Sequence, residues 1–185
     1  MFVLGIDPGL SRCGYGAVRR RGGRPQAEAA GVIVTPPSEP LPVRLAALLG
    51  ELRSLLVELR PDVVVVERVL FQVNARTAMA VGQASGLALA AAAEVGLEVA
   101  QYSPNEVKQS VTGYGSASKA QVQRMVQSLL SLPETPKPPD AADALALALC
   151  HLAGAPLLER AGRAERAERL ERAERAERAE RTEVR

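Results

Sequence analysis

The hydrophobic pattern of the chain opens on a short run, Phe2 to Ile6, that reads as a buried strand and stops at an acid, Asp7, followed by the turn pair Pro8-Gly9. A second apolar stretch ends at Val18-Arg19, so the chain is expected to turn back as a hairpin, and Ala30–Val34 returns as a third strand. Between them, Arg19-Arg20-Arg21-Gly22-Gly23-Arg24 reads as a basic turn, a solvated loop in preference to a DNA contact. Pro36, Pro37, Pro40 and Pro42 then predict a stiff connector without helix. Leu45, Leu48, Leu49, Leu52, Leu55, Leu56 and Leu59 recur at spacings of three and four, the stripe of an amphipathic helix that Arg60-Pro61 terminates. The uniformly apolar run from Asp62 through Val66 predicts a strand buried on both faces, and it too ends in a carboxylate, Glu67.

Residues 68–74 read as a loop carrying apolar side chains, with Asn74 placed to cap a helix running from Ala75 to Glu94. Within that helix the Gly82-x-x-x-Gly86 spacing allows close backbone approach, either as internal packing or as a dimer contact. Leu97–Gln101 predicts a fifth strand. Ser103-Pro104-Asn105-Glu106 and Ser118-Lys119-Ala120-Gln121 both have the pattern of a capping box, in which a serine side chain and the residue three further on satisfy each other's free backbone donors. The two caps put Lys108 and Lys119 on short helices either side of a loop, 112–116. Pro138-Pro139 opens a last helix in which Asp140 and Asp143, three apart, share a face. Downstream of them the helix is apolar nearly all round, so both acids are expected to face an interior or cleft. His151, the one histidine of the chain, falls in its last turn and reads as a satisfied structural residue.

Composition narrows the class. Two distant cysteines, Cys13 and Cys150, have no disulfide or zinc spacing and read as reduced thiols of a cytoplasmic protein. The short, acid-terminated first run is not a signal peptide, and no apolar window approaches the roughly 20 residues of a membrane span. Net charge is +2, but nine Arg and eight Glu lie from Glu159 onward, which leaves the body near neutrality and restricts any nucleic-acid surface to a local patch. The Ala-Glu-Arg triplets of that stretch make no single apolar stripe, only Glu-to-Arg pairs four apart, so the expected organisation is a domain over residues 1–155 and a solvated, helical or disordered tail over 156–185.

Four acids therefore stand out: Asp7 and Glu67 at strand ends, Asp140 and Asp143 on one helix face. If the first and fourth strands are neighbours and the last helix packs across them, all four converge. Carboxylates that close cannot all stay ionised without cations. An all-oxygen donor set selects Mg²⁺ or Mn²⁺, and two such ions about 3.5–4 Å apart suit phosphodiester hydrolysis. No Ser-His-Asp, Cys-His or Walker A pattern competes.

Taken together, Gly5-Ile6-Asp7-Pro8-Gly9, Val66-Glu67-Arg68-Val69, Val81-Gly82-Gln83-Ala84-Ser85-Gly86, Val107-Lys108-Gln109 and Asp140-Ala-Ala-Asp143-Ala144 resemble the RuvC family of Holliday-junction resolvases over about the first 150 residues. The resemblance implies an α/β, RNase H-like fold, a five-stranded mixed sheet flanked by helices, in a cytoplasmic homodimer. It implies Mg²⁺-dependent nicking of two symmetric strands of four-way junction DNA, with a pair of ions per site, in partnership with the RuvA–RuvB branch-migration complex. Asp7, Glu67, Asp140 and Asp143 would be the catalytic metal ligands, Lys108, Lys119 and Arg76 would contact the DNA backbone, and Phe71, beside Leu70, would be the apolar wedge at the junction centre. Rival readings are an actin-like or sugar-kinase ATPase, for which the chain is too short to supply two domain halves, a related nuclease acting on RNA, and a non-catalytic junction binder.

Overall fold

Alternation along the strands decides the architecture, because a strand sends successive side chains to opposite faces of its sheet. The computed structural model describes residues 1–69 and 75–154, with side chains described from Thr77 onward in the second stretch. Among them, five strands form one sheet in the order β3-β2-β1-β4-β5, where β1 is Phe2–Asp7, β2 Arg12–Arg21, β3 Arg24–Val34, β4 Val63–Glu67 and β5 Glu98–Tyr102. The hairpin strands β1, β2 and β3 are antiparallel, whereas β4 lies parallel to both β1 and β5. Helices α1 (Leu41–Leu59) and α2 (Ala75–Glu94) cover one face; α3 (Pro104–Thr112), α4 (Lys119–Leu129) and α5 (residues 139–154) cover the other.

The two faces follow the period of two. Phe2, Leu4, Ile6, Val64 and Val66 pack with the leucine stripe of α1, whose Leu48, Leu52 and Leu56 are buried. Val3, Val63 and Val65 pack instead with Leu145, Leu147 and Leu149 of α5 and with Val107, Val122 and Val126. Leu52→Ala, which removes a side chain from the first of these cores, is expected to lower unfolding stability by about 2–5 kcal/mol, measurable by urea denaturation. Cys13 and Cys150 are free, buried and on opposite sides of the sheet.

Helix α5 lies unusually close to the sheet, and glycine is the reason. Gly5 and Gly16 are cross-strand partners, and Gly14 is the partner of Asp7. A Cβ on Gly5 would fall 2.1 Å from the Ala144 carbonyl oxygen, one on Gly16 2.6 Å from the Leu145 nitrogen, and one on Gly14 2.1 Å from the Asp140 carbonyl oxygen. Three bare backbone positions thus form a seat for the helix.

Several local expectations need correcting. The arginines expected in a solvated turn lie on strands: β2 continues to Arg21 and only Gly22-Gly23, both at positive φ, make the turn. Arg19 and Arg21 pair with Glu28 across the hairpin at 3.3 and 2.9 Å, Arg19 also stacks on the Phe2 ring, and Arg20 donates to the Leu152 carbonyl of α5. The third strand begins at Arg24, well before Ala30, because an edge strand can be held by such cross-strand charges without an apolar run. Pro42 does not prevent helix formation; it sits in the first turn of α1, where its missing N–H has no helical partner to lose. Gly82 and Gly86 are exposed and a Cβ on either meets nothing within 4 Å among the described residues, so their spacing serves no packing among these.

Candidate active site

The site lies where β1 and β4 end. Ile6 is in register with Val66, so Asp7 and Glu67 stand side by side at the carboxyl ends of adjacent parallel strands. Asp7 follows Val3 and Gly5 at intervals of two, and Glu67 follows Val63 and Val65, which sends both carboxylates to the face that α5 covers. Asp140 lies in the first turn of that helix and Asp143 at the start of the second, and Gly14, opposite Asp7, admits the Asp140 backbone directly onto the sheet.

Glu67 and Asp143 line one side of a cleft of about 230 Å³ whose other walls are Lys108 and Val107 of α3, Lys119 and Val122 of α4, and Ala146 and Leu147 of α5. Both capping boxes form as expected. Ser103 and Ser118 each accept from the backbone N–H three residues on, while Glu106 and Gln121 accept from the serine N–H groups, and this orients the two helices that bring the lysines in.

Charge is crowded here. Burial, then the neighbouring carboxylates Glu67, Asp143 and Asp140, push the Asp7 carboxyl up to about 7 against an ordinary 3.8, with Lys119 acting in the opposite sense. Burial and Asp143 likewise raise Glu67, opposed by Lys119 and Lys108. Lys119 Nζ lies 2.5 Å from Asp143 Oδ2. For Lys119 itself, burial disfavours the ammonium, but Asp143, Asp7 and Asp140 outweigh it and raise the lysine. Arg12 grips Asp140, with Nε and Nη2 at 3.0 and 2.9 Å from Oδ2. Arg68, although next to Glu67 in the sequence, donates to the Gln101 carbonyl and lies 3.9 Å from Glu106.

The donor set fits a hard divalent cation. All the crowded groups are carboxylates, and their mutual repulsion is the condition that such an ion relieves. Among the described residues no three carboxylate, His or Cys groups are drawn tightly enough to form a closed ligand shell; Arg12 and Lys119 each contact one oxygen, Oδ2, of Asp140 and Asp143 respectively.

All four predicted acids and both lysines are thus at or around one site. Phe71 and Leu70 lie outside the described residues, as does Asn74, and Arg76 is located only as a position in the first turn of α2. His151 is buried away from the acids, 3.1 Å from the Tyr102 hydroxyl, which matches the structural role expected of it. Arg12 escaped the sequence reading. Its signal was present in the period of two: it precedes Gly14 by two residues and so shares the face on which Asp7 points.

Comparison with known proteins agrees with this geometry. The family model described as "Crossover junction endodeoxyribonuclease RuvC" matches residues 3–151. The RuvC of Moorella thermoacetica is 51% identical over 160 residues, which cover 86% of this chain and 96% of that protein. The solved structure of Thermus thermophilus RuvC superposes with a TM-score of 0.78 at 38% identity, covering 85% of this chain and 96% of the other. The same protein in complex with a Holliday junction substrate gives 0.77 at 36% identity, with the same coverage.

Proposed function

Because the chain belongs to the RuvC family of crossover junction endodeoxyribonucleases, we propose that it resolves four-way DNA junctions by hydrolysing one phosphodiester in each of two symmetric strands. The observation that carries this reading is the meeting of two strand-end acids with two acids of the last helix on one face of the sheet, beside two lysines. Asp7, Glu67, Asp140 and Asp143 are the proposed ligands of Mg²⁺, two ions per site, with Mn²⁺ able to substitute. Bound there, the ions supply an activated water and stabilisation of the leaving oxygen.

The chain's own residues do the rest. The rigid strand ends hold Asp7 and Glu67 in place, and the seat under α5 fixes Asp140 and Asp143 against them. Lys108 and Lys119, on the cleft wall, neutralise backbone phosphate next to the scissile bond. Arg76 contacts the backbone further along, and Phe71 enters the junction centre as the base-stacking wedge. Symmetric cutting needs two such sites, so the active form is proposed as a homodimer. Its exposed Gly82/Gly86 face on α2 presents bare backbone suited to a second copy.

Cooperation with the RuvA–RuvB complex and a cytoplasmic setting complete the reading. No helix of the described residues is long and apolar enough to cross a membrane. The nuclease domain is placed at 1–155, with 156–185 as a charged appendage.

The test offers the protein a synthetic four-way junction, a linear duplex of the same sequence and an RNA–DNA hybrid, with Mg²⁺ or with chelator. Paired nicks in the junction alone, abolished by chelation, are expected. Equal cutting of the linear duplex, or preference for the hybrid, would redirect the assignment to another nuclease of the same fold.

A further inference from the structure

Asp140 is held twice by the same strand. Gly14 of β2 lets its backbone carbonyl approach to 2.1 Å from where a Cβ would stand, and Arg12, two residues earlier on the same face, holds its side chain. Both Arg12 donors, Nε at 3.0 Å and Nη2 at 2.9 Å, go to one oxygen, Oδ2; among the described residues no hydrogen bond goes to Oδ1. A guanidinium is a planar fork with fixed donor directions, so two bonds converging on a single oxygen pin that oxygen and occupy its lone pairs, leaving the other oxygen of the carboxylate free to accept. The pair is only partly shielded, with the Arg12 side chain 47% exposed and Asp140 26% exposed, so attraction alone contributes little and the geometry is the larger effect.

We infer that Arg12 is a positioning residue: by pinning and occupying Oδ2 of Asp140 it leaves Oδ1 as the oxygen available to a metal ion between the acids. This rests on the divalent-ion reading proposed above and adds to it the residue that orients one ligand. Lys119 has a related contact, Nζ to Asp143 Oδ2 at 2.5 Å, but it is a single contact from a flexible ammonium, and Lys119 already faces the cleft. Partners that orient a ligand from outside the metal shell typically change metal affinity by about 10–100-fold when removed.

The probe is Mn²⁺ alone, titrated into the full chain without DNA and followed by electron paramagnetic resonance of the free ion. Arg12→Ala is expected to weaken Mn²⁺ binding by at least about tenfold, and Arg12→Lys, which keeps charge and one donor, to recover part of the loss. In an Asp140→Asn background the Arg12→Ala effect should vanish, since the side chain it orients is no longer a ligand. A merely structural Arg12 would change the thermal midpoint but not this coupling. Unchanged or tighter Mn²⁺ binding by Arg12→Ala would overturn the inference, the tighter result marking Arg12 as a competitor for Asp140. Absence of Mn²⁺ binding by the unmutated chain would overturn the metal reading itself.

Discussion

Asp7→Asn is expected to reduce junction cleavage by about 10³-fold or more, the rate equivalent of several kcal/mol of lost charge stabilisation, while junction affinity in a gel-shift assay stays unchanged. Asn keeps the size and one acceptor of Asp but gives up the charge that a cation needs at the end of β1. The same substitution should stabilise the ion-free protein, an unusual combination. The folded Asp7 carboxyl titrates at about 7, above its ordinary 3.8, because burial and three nearby carboxylates penalise its ionised form. A carboxyl raised in this way contributes stability below pH 3.8 that is lost as pH rises through about 7. The gap corresponds to on the order of 4 kcal/mol. In chelator, the unmutated protein should therefore melt below Asp7→Asn at pH 8, with the difference closing toward pH 4. Magnesium should raise the midpoint of the unmutated protein more than that of the variant. Full cleavage by Asp7→Asn would remove this residue from the chemistry, and a pH-independent difference in melting would remove the crowding of charge.

The second large effect is expected from a methyl group. Gly14→Ala would place a Cβ 2.1 Å from the Asp140 carbonyl oxygen and 2.6 Å from its carbonyl carbon, backbone atoms that cannot rotate away. Relief requires the start of α5 to lift from the sheet. Overpacking of this kind costs about 1–3 kcal/mol, and a ligand displaced by about 1 Å can cost about 10²-fold in rate. Cleavage should fall by that order while circular dichroism reports a retained helix content. Gly50→Ala is the control: the position is helical and exposed with nothing among the described residues within 4 Å of a Cβ, so neither activity nor packing should suffer. Equal activity of Gly14→Ala and the unmutated protein would mean that the contact does not set the position of Asp140.

Much of the site was legible because acids are costly at the ends of buried strands. Asp7 and Glu67 each close a run of apolar residues, and the strand period puts both on one face once β1 and β4 are neighbours. Asp140 and Asp143 were visible as a helical pair at the head of an apolar helix. What sequence pattern could not supply was the distance between helix and sheet. Nothing in the sequence around Gly5, Gly14 and Gly16 marks them as the seat of a helix until α5 lies over them. The basic hairpin was misjudged for a related reason. Arg19, Arg20 and Arg21 carry no apolar signal, yet their partners Glu28, Phe2 and Leu152 become neighbours only through folding. Arg12 belongs to the same class, with its partner 128 residues away in sequence.

That separation also bears on how the molecule comes into being. Asp7 and Glu67 are made early, on β1 and β4, but the helix carrying the other two acids is synthesised after every other described element. If the four acids are the metal ligands proposed above, a nascent chain holds only two of them until that last helix has been made. On that reading, chain order alone delays assembly of the site until the rest of the described scaffold exists.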